Sequence, residues 1–439
     1  MRGTLEGWRD KVAALCVGNT RLMFAACCAF AGPLMRPAGI ASGGVHFRGE
    51  SQTGKSTAQF LAASVYGART YKQSWRATDN ALESVAAQHC DGLLILDEIG
   101  QVDAKSAGEV AYMLGNEFGK SRSTRTGQTR QRLTWCLLFL STGEVSLASH
   151  MAEGGRRVRP GQEVRMVDIP AEVRPGTVFE TTHGHDGGAA FAQHIDRVTQ
   201  EVYGHAGREW LRWCVANVDT LRHRVSESVK LASAQWVNEA AAGQVHSVGR
   251  RFALIAVAGE LATEAGLTGW PKGEATAAAR ACFEAWLTVR PGGIGNAEEA
   301  QMLSQVRRWL QLNGAGRFTW WHRALDDRAP DKGLRAGFRR MVTAEGKPID
   351  KDSDHLREFG EKIGAADAEE TTVDYYVFPE VFNAEACEGQ DALTVRRLLR
   401  AAGHLVPDKG RDLDCRQRLP GMGLTRCYRI RSSIFAGDD

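Results

Sequence analysis

Four apolar runs in the first 170 positions set the reading: GGVHF (43–47), LLIL inside GLLILDEIG (92–100), LTWCLLFL (133–140) and the short RMVDIP (165–170). The middle two are too continuous for half-exposed strands and predict strands of a parallel sheet buried on both faces. The helix-like AQFLAASVYG follows the first run, and the spacing from Lys55 to Asp97 fits a strand-helix-strand-helix-strand unit. Past 170 the period changes, and apolar residues at three- and four-residue spacing predict helices at 189–203, 205–218, 226–241, 245–264, 274–289 and 297–312. Upstream, Leu22 to Met35 is an apolar stretch interrupted by Pro33, too short to span a bilayer, and predicts a helix buried beneath the sheet. The last hundred residues are organised separately. A charged linker near 342–370 precedes TVDYYVFPEVF, a strand and helix start; DALTVRRLLRAAGHLV, an amphipathic helix; and a basic hairpin centred on Pro420 to Gly423. The fold class expected is α/β, with a helical segment at 1–42, a parallel-sheet core at 43–171, helices at 189–318 and a domain of winged-helix order at 319–439.

Composition narrows this little. At 439 residues, 43% hydrophobic and 24% charged, the chain has room for two or three domains, and a net charge of +3 is too mild to name a partner. Ten scattered cysteines include no C-x-x-C pair, which argues against a zinc site or a disulfide framework and for reduced, cytoplasmic thiols. The residues before Leu22 do not resemble a secretory signal. The stretch HGHDGG (183–188) has the residue types of a metal cluster but reads more simply as a glycine-rich linker.

The chemistry concentrates where the strands end. Directly after the first run stands GESQTGKST, positions 49–57. Gly49 and Gly54 permit a backbone that turns the N–H groups of Glu50, Ser51, Gln52 and Thr53 inward around phosphate oxygens. Lys55 supplies charge for the outer phosphates, the Ser56 hydroxyl suits Mg²⁺, and Thr57 sits in the first turn of a helix whose positive end faces the anion. This is a Walker A loop for ATP. The second run ends in Asp97, placed to hold the Mg²⁺ through water, and Glu98, placed to deprotonate an attacking water. Ser141 or Thr142, where the next run stops, is the candidate for sensing the terminal phosphate. Before that run, FGKSRSTRTGQTRQRL carries Lys120, Arg122, Arg125, Arg130 and Arg132 with no acid from Gly119 to Leu133. The Thr-Gly near its middle predicts a hairpin, and its unpartnered cations call for an anion such as nucleic-acid phosphate.

The series GGVHFRGESQTGKST, DGLLILDEIGQVD, an Arg-rich insertion, LLFLSTGE and GGRRVRPGQEVRMVDIP resembles the helicase-like AAA+ ATPases of prophages and other mobile elements, which are similar to the minichromosome maintenance (MCM) helicases. The resemblance covers about Gly3 to Phe318. It implies a basic hairpin projecting into a central pore to grip DNA, Thr142 or Ser141 as first sensor, and Arg165 as the finger reaching a neighbouring subunit's ATP, with Arg156, Arg157 and Arg159 as rivals. It also implies a helical lid in which Arg251, beside Arg250, is the second sensor. Arg396, Arg397 and Arg400 on the last amphipathic helix are further candidates for DNA phosphate. The function implied is a ring-forming, hexameric DNA helicase using ATP and Mg²⁺, with a primase among its partners. The alternative is a nucleotide-switched loader that does not unwind. A small-molecule kinase has no use for a water-activating Glu98.

Overall fold

Five parallel strands form the first sheet: β1 (Gly43–Arg48), β2 (Gln73–Ser74), β3 (Leu93–Asp97), β4 (Leu138–Gly143) and β5 (Met166–Pro170), in the order β2-β3-β4-β1-β5. The structure, a computed structural model, describes residues 1–120, 132–156, 158, 160–321, 324, 334–343, 348, 371–410 and 413–436. Leu93–Leu96 and Leu138–Leu140 are fully buried, as continuous apolar runs require when helices cover both faces. One face carries Val45, Phe47, Ile95, Leu140 and Val167; the other carries Leu94, Leu96, Phe139 and Met166, each in its own apolar cluster. β2 is two residues long, below what an apolar pattern can reveal.

The helices preceding and within the sheet are α1 (Leu5–Lys11), α2 (Thr20–Ala31), α3 (Lys55–Ser64), α4 (Asp79–Gln88), α5 (Ala107–Gly115), α6 (Leu147–Glu153) and α7 (Pro160–Arg165). Those following it are α8 (Gly187–Glu201), α9 (His205–Ala216), α10 (Val218–Trp236), α11 (Gly243–Glu264) and α12 (Glu274–Val289). Helix α2 is buried from Arg21 to Ala31 and packs against α3, α11 and α12, as a helix apolar all round must. Around it, indole N–H groups find backbone acceptors: Trp210 Nε1 donates to Phe30 O and Trp270 Nε1 to Ala13 O, at 2.9 and 2.8 Å. Helix α10 begins eight residues before the expected 226 and ends at Trp236. Leu221, Val225 and Val229, at four-residue spacing, are the side chains it buries.

The chain folds as two units, Met1–Asn296 and Ala297–Asp439. Helix α13 (Ala297–Asn313), expected among the lid helices, belongs instead to the second unit. There its Val306 and Leu310 pack with Phe318, Val377, Val395, Leu399, Tyr428 and Ile430. The sheet of that unit comprises β6 (Phe318–Trp320), β7 (Gly337–Thr343), β8 (Thr371–Val377), β9 (Cys415–Leu419) and β10 (Gly423–Arg431), in the order β6-β7-β8-β10-β9. The expected amphipathic helix is Ala392–Ala401, capped by the Asp391 carboxylate, which accepts from Thr394 N at 2.8 Å. Most of the expected linker at 342–370 lies outside the described residues.

A polar row crosses the buried sheet. Trp75 Nε1 donates to Ser141 Oγ (2.9 Å), which leaves the Ser141 hydroxyl to donate to His46 Nδ1 (2.8 Å); His46 Nε2–H then donates to Val145 O (3.0 Å). His46 is thereby satisfied as a neutral ring, and burial pushes its pKa down to about 4. Next in the row is Asp168, whose Oδ1 lies 4.0 Å from His46 Nε2 and has no hydrogen-bond partner. Burial pushes the Asp168 carboxyl up to about 7, with Arg48 opposing and Glu163 assisting. In the unfolded chain this acid is ionised from about pH 4, so the folded state binds the extra proton between about pH 4 and 7 and the group's contribution to stability falls as pH rises. Asp168→Asn should therefore become more stable than the parent as pH rises through that window. The gap should level at on the order of 1–2 kcal/mol by pH 8, allowing for the 24% of the side chain that water reaches. Thermal unfolding at pH 4, 6 and 8 checks this; a gap that does not change with pH would contradict it.

Candidate functional site

In a parallel α/β sheet, sites form beyond the carboxyl ends of the strands, and the loop 49–54 leaves β1 at that edge. Gly54 has φ +105°, and a Cβ there would lie 2.8 Å from Val178 and 2.9 Å from Phe179. Glycine is thus required by conformation and by space. Helix α3 begins at Lys55 with no side chain capping its first turn, so the N–H groups of Lys55, Ser56 and Thr57 are available to an anion. The Lys55 ammonium folds back on its own loop, donating to Gly49 O (2.8 Å) and to Glu50 O. Burial lowers its pKa, against the pull of Glu98, Glu144, Glu172 and Asp97.

Asp97 closes the site from β3. Its Oδ1 accepts from Thr142 Oγ1 at 3.1 Å and its Oδ2 from the Lys72 ammonium. Glu98 follows in a left-handed conformation, φ +52°, with Oε1 accepting from Gly100 N at 3.2 Å. A residue with a Cβ held there stores about 1–3 kcal/mol of strain. Of the two sensor candidates, Thr142 touches Asp97, while Ser141 points to the other face of the sheet between Trp75 and His46. The alternation of side chains along β4 separates them.

Three charged neighbours went unread in the sequence. Lys72 precedes the two-residue β2; its ammonium lies on Asp97 and also 4.8 Å from the centroid of the Phe60 ring of α3. Glu172, two residues past β5, accepts from Glu50 N at 3.2 Å. Glu144 ends the STGE stretch and acts on Lys55 through space. Acidic or basic residues beside a strand end are common enough that only the fold singles these out.

Other candidates lie elsewhere. Arg251 is buried in α11, donates through Nη1 to Val164 O at 2.9 Å, and sits where a Cβ on Gly43 would be 2.2 Å from its guanidinium. Gly43 starts β1, about 16 Å of strand from the loop. Arg251 therefore packs at the opposite edge of the sheet and is no sensor of a ligand on this loop. Burial pushes its pKa down to about 10, with Arg165 adding to the effect. Arg165 is at that same edge, since β5 pairs its next residue, Met166, with Gly44. Its Nε donates to Asn116 Oδ1 (2.9 Å) and its Nη1 to Gly161 O (2.8 Å), with Tyr112 beneath the guanidinium at 4.3 Å. It does not reach its own chain's loop. Arg156 is exposed; Arg157 and Arg159 lie outside the described residues.

The base of the basic hairpin is antiparallel: Phe118 bridges Thr134, Gly119 N donates to Leu133 O (2.9 Å) and Trp135 N to Glu117 O (3.0 Å). Lys120 stands at this base with its N–H on Glu83, and Arg132 stacks 3.8 Å from the Phe118 ring centroid. Arg122, Arg125 and Arg130 lie outside the described residues. In the second unit Arg397 and Arg400 are exposed, but Arg396 is turned inward, donating to Ala392 O (2.9 Å) and to Tyr428 Oη (2.7 Å). Arg396 is thus a structural residue of that unit. Among the described residues no group of three or more His, Cys, Asp and Glu could hold a metal ion, and no helix is long and apolar enough to cross a membrane.

Sheet order, a glycine-bent loop after β1 and an aspartate ending β3, with β4 between the two strands, together give a P-loop-like α/β core. Residues 1–134 match the family model described as Domain of unknown function (DUF927). Nothing matches among curated proteins. Solved structures do match. One, named "SCCmec type IV Cch - active helicase", superposes with a TM-score of 0.66 at 19% identity, covering 99% of this chain and 72% of that one. The two share a fold.

The geometry separates Ser141 from Thr142 experimentally. Ser141→Ala leaves the buried Trp75 N–H without its partner and should cost about 1–3 kcal/mol in chemical denaturation. Thr142→Val, on the site's own face, should keep stability within about 1 kcal/mol and instead impair whatever chemistry Asp97 supports.

Proposed function

We propose that this chain is an ATP-dependent motor acting on DNA, a ring-forming AAA+ helicase or translocase that serves the replication of a mobile element. The observation that carries the reading is the convergence of the loop 49–54, Lys55 and the Thr142–Asp97 hydrogen bond at one edge of the sheet. The shared fold with a structure named as an active helicase, over nearly the whole chain, supports it further. A Mg²⁺ ion held by Ser56 and Asp97 would supply positive charge to the phosphates when bound. The residues themselves do the rest. Amides of the loop and Lys55 position the triphosphate, Asp97 is oriented by Thr142, and Glu98 takes the proton of the attacking water after its carboxylate leaves Gly100 N.

Arg165 acts on the nucleotide of an adjacent subunit, which makes the ring, taken as a hexamer, a condition of turnover. The hairpin carrying Lys120, Arg122, Arg125, Arg130 and Arg132 grips DNA phosphate in the pore, as in the MCM helicases. Arg397 and Arg400 of the second unit, in winged-helix order, add a further contact.

Strand displacement on forked DNA is the test. The parent chain with ATP and Mg²⁺ should separate the strands; Lys55→Ala should lose ATP binding, and Glu98→Gln should bind ATP while hydrolysing it at least about 100-fold more slowly. DNA-stimulated hydrolysis with no displacement would replace the motor by a nucleotide-switched loader. Arg165→Ala mixed with Lys55→Ala should recover part of the activity that each lacks alone, since each supplies the half-site missing from the other. Two assembled but inactive proteins that stay inactive when mixed would remove Arg165 from the finger role.

A further inference from the structure

The stretch HGHDGG, a linker by its sequence, is built into the edge of the loop site. Val178 N donates to Thr53 O at 3.0 Å, and Phe179 rests against Gly54. Two residues on, the N–H groups of Glu180 and Thr181 both donate to Asn19 Oδ1, at 2.9 and 3.0 Å, and His183 Nε2 donates to Val17 O at 3.0 Å. The segment is therefore tied to the loop at one end and to the turn before α2 at the other. His183 adopts φ +49° and Gly184 φ +80°, a turn that brings both histidines back onto α8.

There the rings form a layered stack. Phe179 meets the fully buried Phe191 edge-on with centroids 5.0 Å apart; His183 lies nearly parallel to Phe191 at 5.5 Å, and His185 meets Phe191 at 5.5 Å and His194 at 4.5 Å. His183 is exposed, and its imidazole is backed by Phe191. His194 is kept below the usual histidine range by burial, His185 and Arg197, and Arg197 donates to its Nδ1 at 3.0 Å. A flat, rigid, aromatic surface thus stands one buried phenylalanine away from the residue that packs on Gly54. Phe179 is thus the link between the loop and the stack.

We propose that His183 and His185, backed by Phe191, are the base-stacking wall of this site, and that they favour a purine over a pyrimidine triphosphate because the larger ring covers more of the stack. The assignment rests on the nucleotide reading of the loop and adds to it the group that recognises the base. Stacking on an aromatic side chain needs no hydrogen-bond code, so the wall discriminates by ring area.

Calorimetry on the full chain with Mg²⁺ separates base from phosphate recognition, using ATP, UTP and inorganic tripolyphosphate as probes. The parent chain should bind ATP more tightly than UTP. His183→Ala should bind ATP about tenfold more weakly, lose most of the preference over UTP, and bind tripolyphosphate as the parent does. His183→Phe should restore ATP affinity, and Lys55→Ala should weaken all three ligands. ATP binding unchanged in both His183→Ala and His185→Ala would overturn the proposal, as would an equal loss for ATP and tripolyphosphate, which marks a merely structural turn. If the folded parent chain binds none of the three, the nucleotide reading falls and the wall falls with it.

Discussion

The parallel pairing of β1 with β4 is the constraint on which the site depends. Register runs from Gly43 opposite Leu138 to Arg48 opposite Gly143, so the chain leaves β1 into the loop 49–54 beside the point where β4 delivers Thr142. Pairing of β4 with β3 then sets Asp97 within reach of that hydroxyl. A slip of one residue in either pairing would exchange Thr142 for Ser141, turning the hydroxyl that meets Asp97 to the opposite face. The buried row Trp75–Ser141–His46 acts as a lock on this register, because each hydrogen bond in it is satisfied only in the observed alignment.

Charge is arranged around this frame with an evident purpose. Lys55 is partly desolvated and faces four carboxylates, and Asp97 is held between Lys72 and Thr142. An anion entering the loop would find uncapped amide donors at the start of α3 and would draw the Lys55 ammonium from Gly49 O and Glu50 O, and a divalent cation would find an oriented carboxylate. Preorganisation of this sort is what makes such groups effective in a site shielded from water. At the other edge of the sheet Arg165 and Arg251 lie close enough to repel, and the deeper Arg251 bears the desolvation.

Much of the core was legible because its signals are local. A glycine-rich loop between an apolar strand and a helix, and LLILDE with its acids at the strand end, each constrain their own neighbourhood. What escaped was set by distance in space. Lys72 and Glu172 matter only because β2 and the chain after β5 fold beside Asp97 and Glu50. Arg251 was hard to place because an arginine on a lid helix looks the same in sequence whether it faces a ligand or a buried carbonyl such as Val164 O. Arg396 is similar, since periodicity gives the helix but not that Tyr428 on β10 draws the guanidinium inward. The placement of α13 was hidden because its Val306 and Leu310 fit either helical neighbours or the second sheet.

The central claim is that Ser56 and Asp97 hold a divalent ion against a nucleotide on this loop. Electron paramagnetic resonance of Mn²⁺, titrated onto the full chain with and without ATP, reads that claim directly. The account predicts a protein-bound Mn²⁺ signal that requires ATP, is strongly weakened in Ser56→Ala and Asp97→Ala, and survives in Ser141→Ala. A nucleotide-dependent signal of undiminished strength in both Ser56→Ala and Asp97→Ala would contradict it.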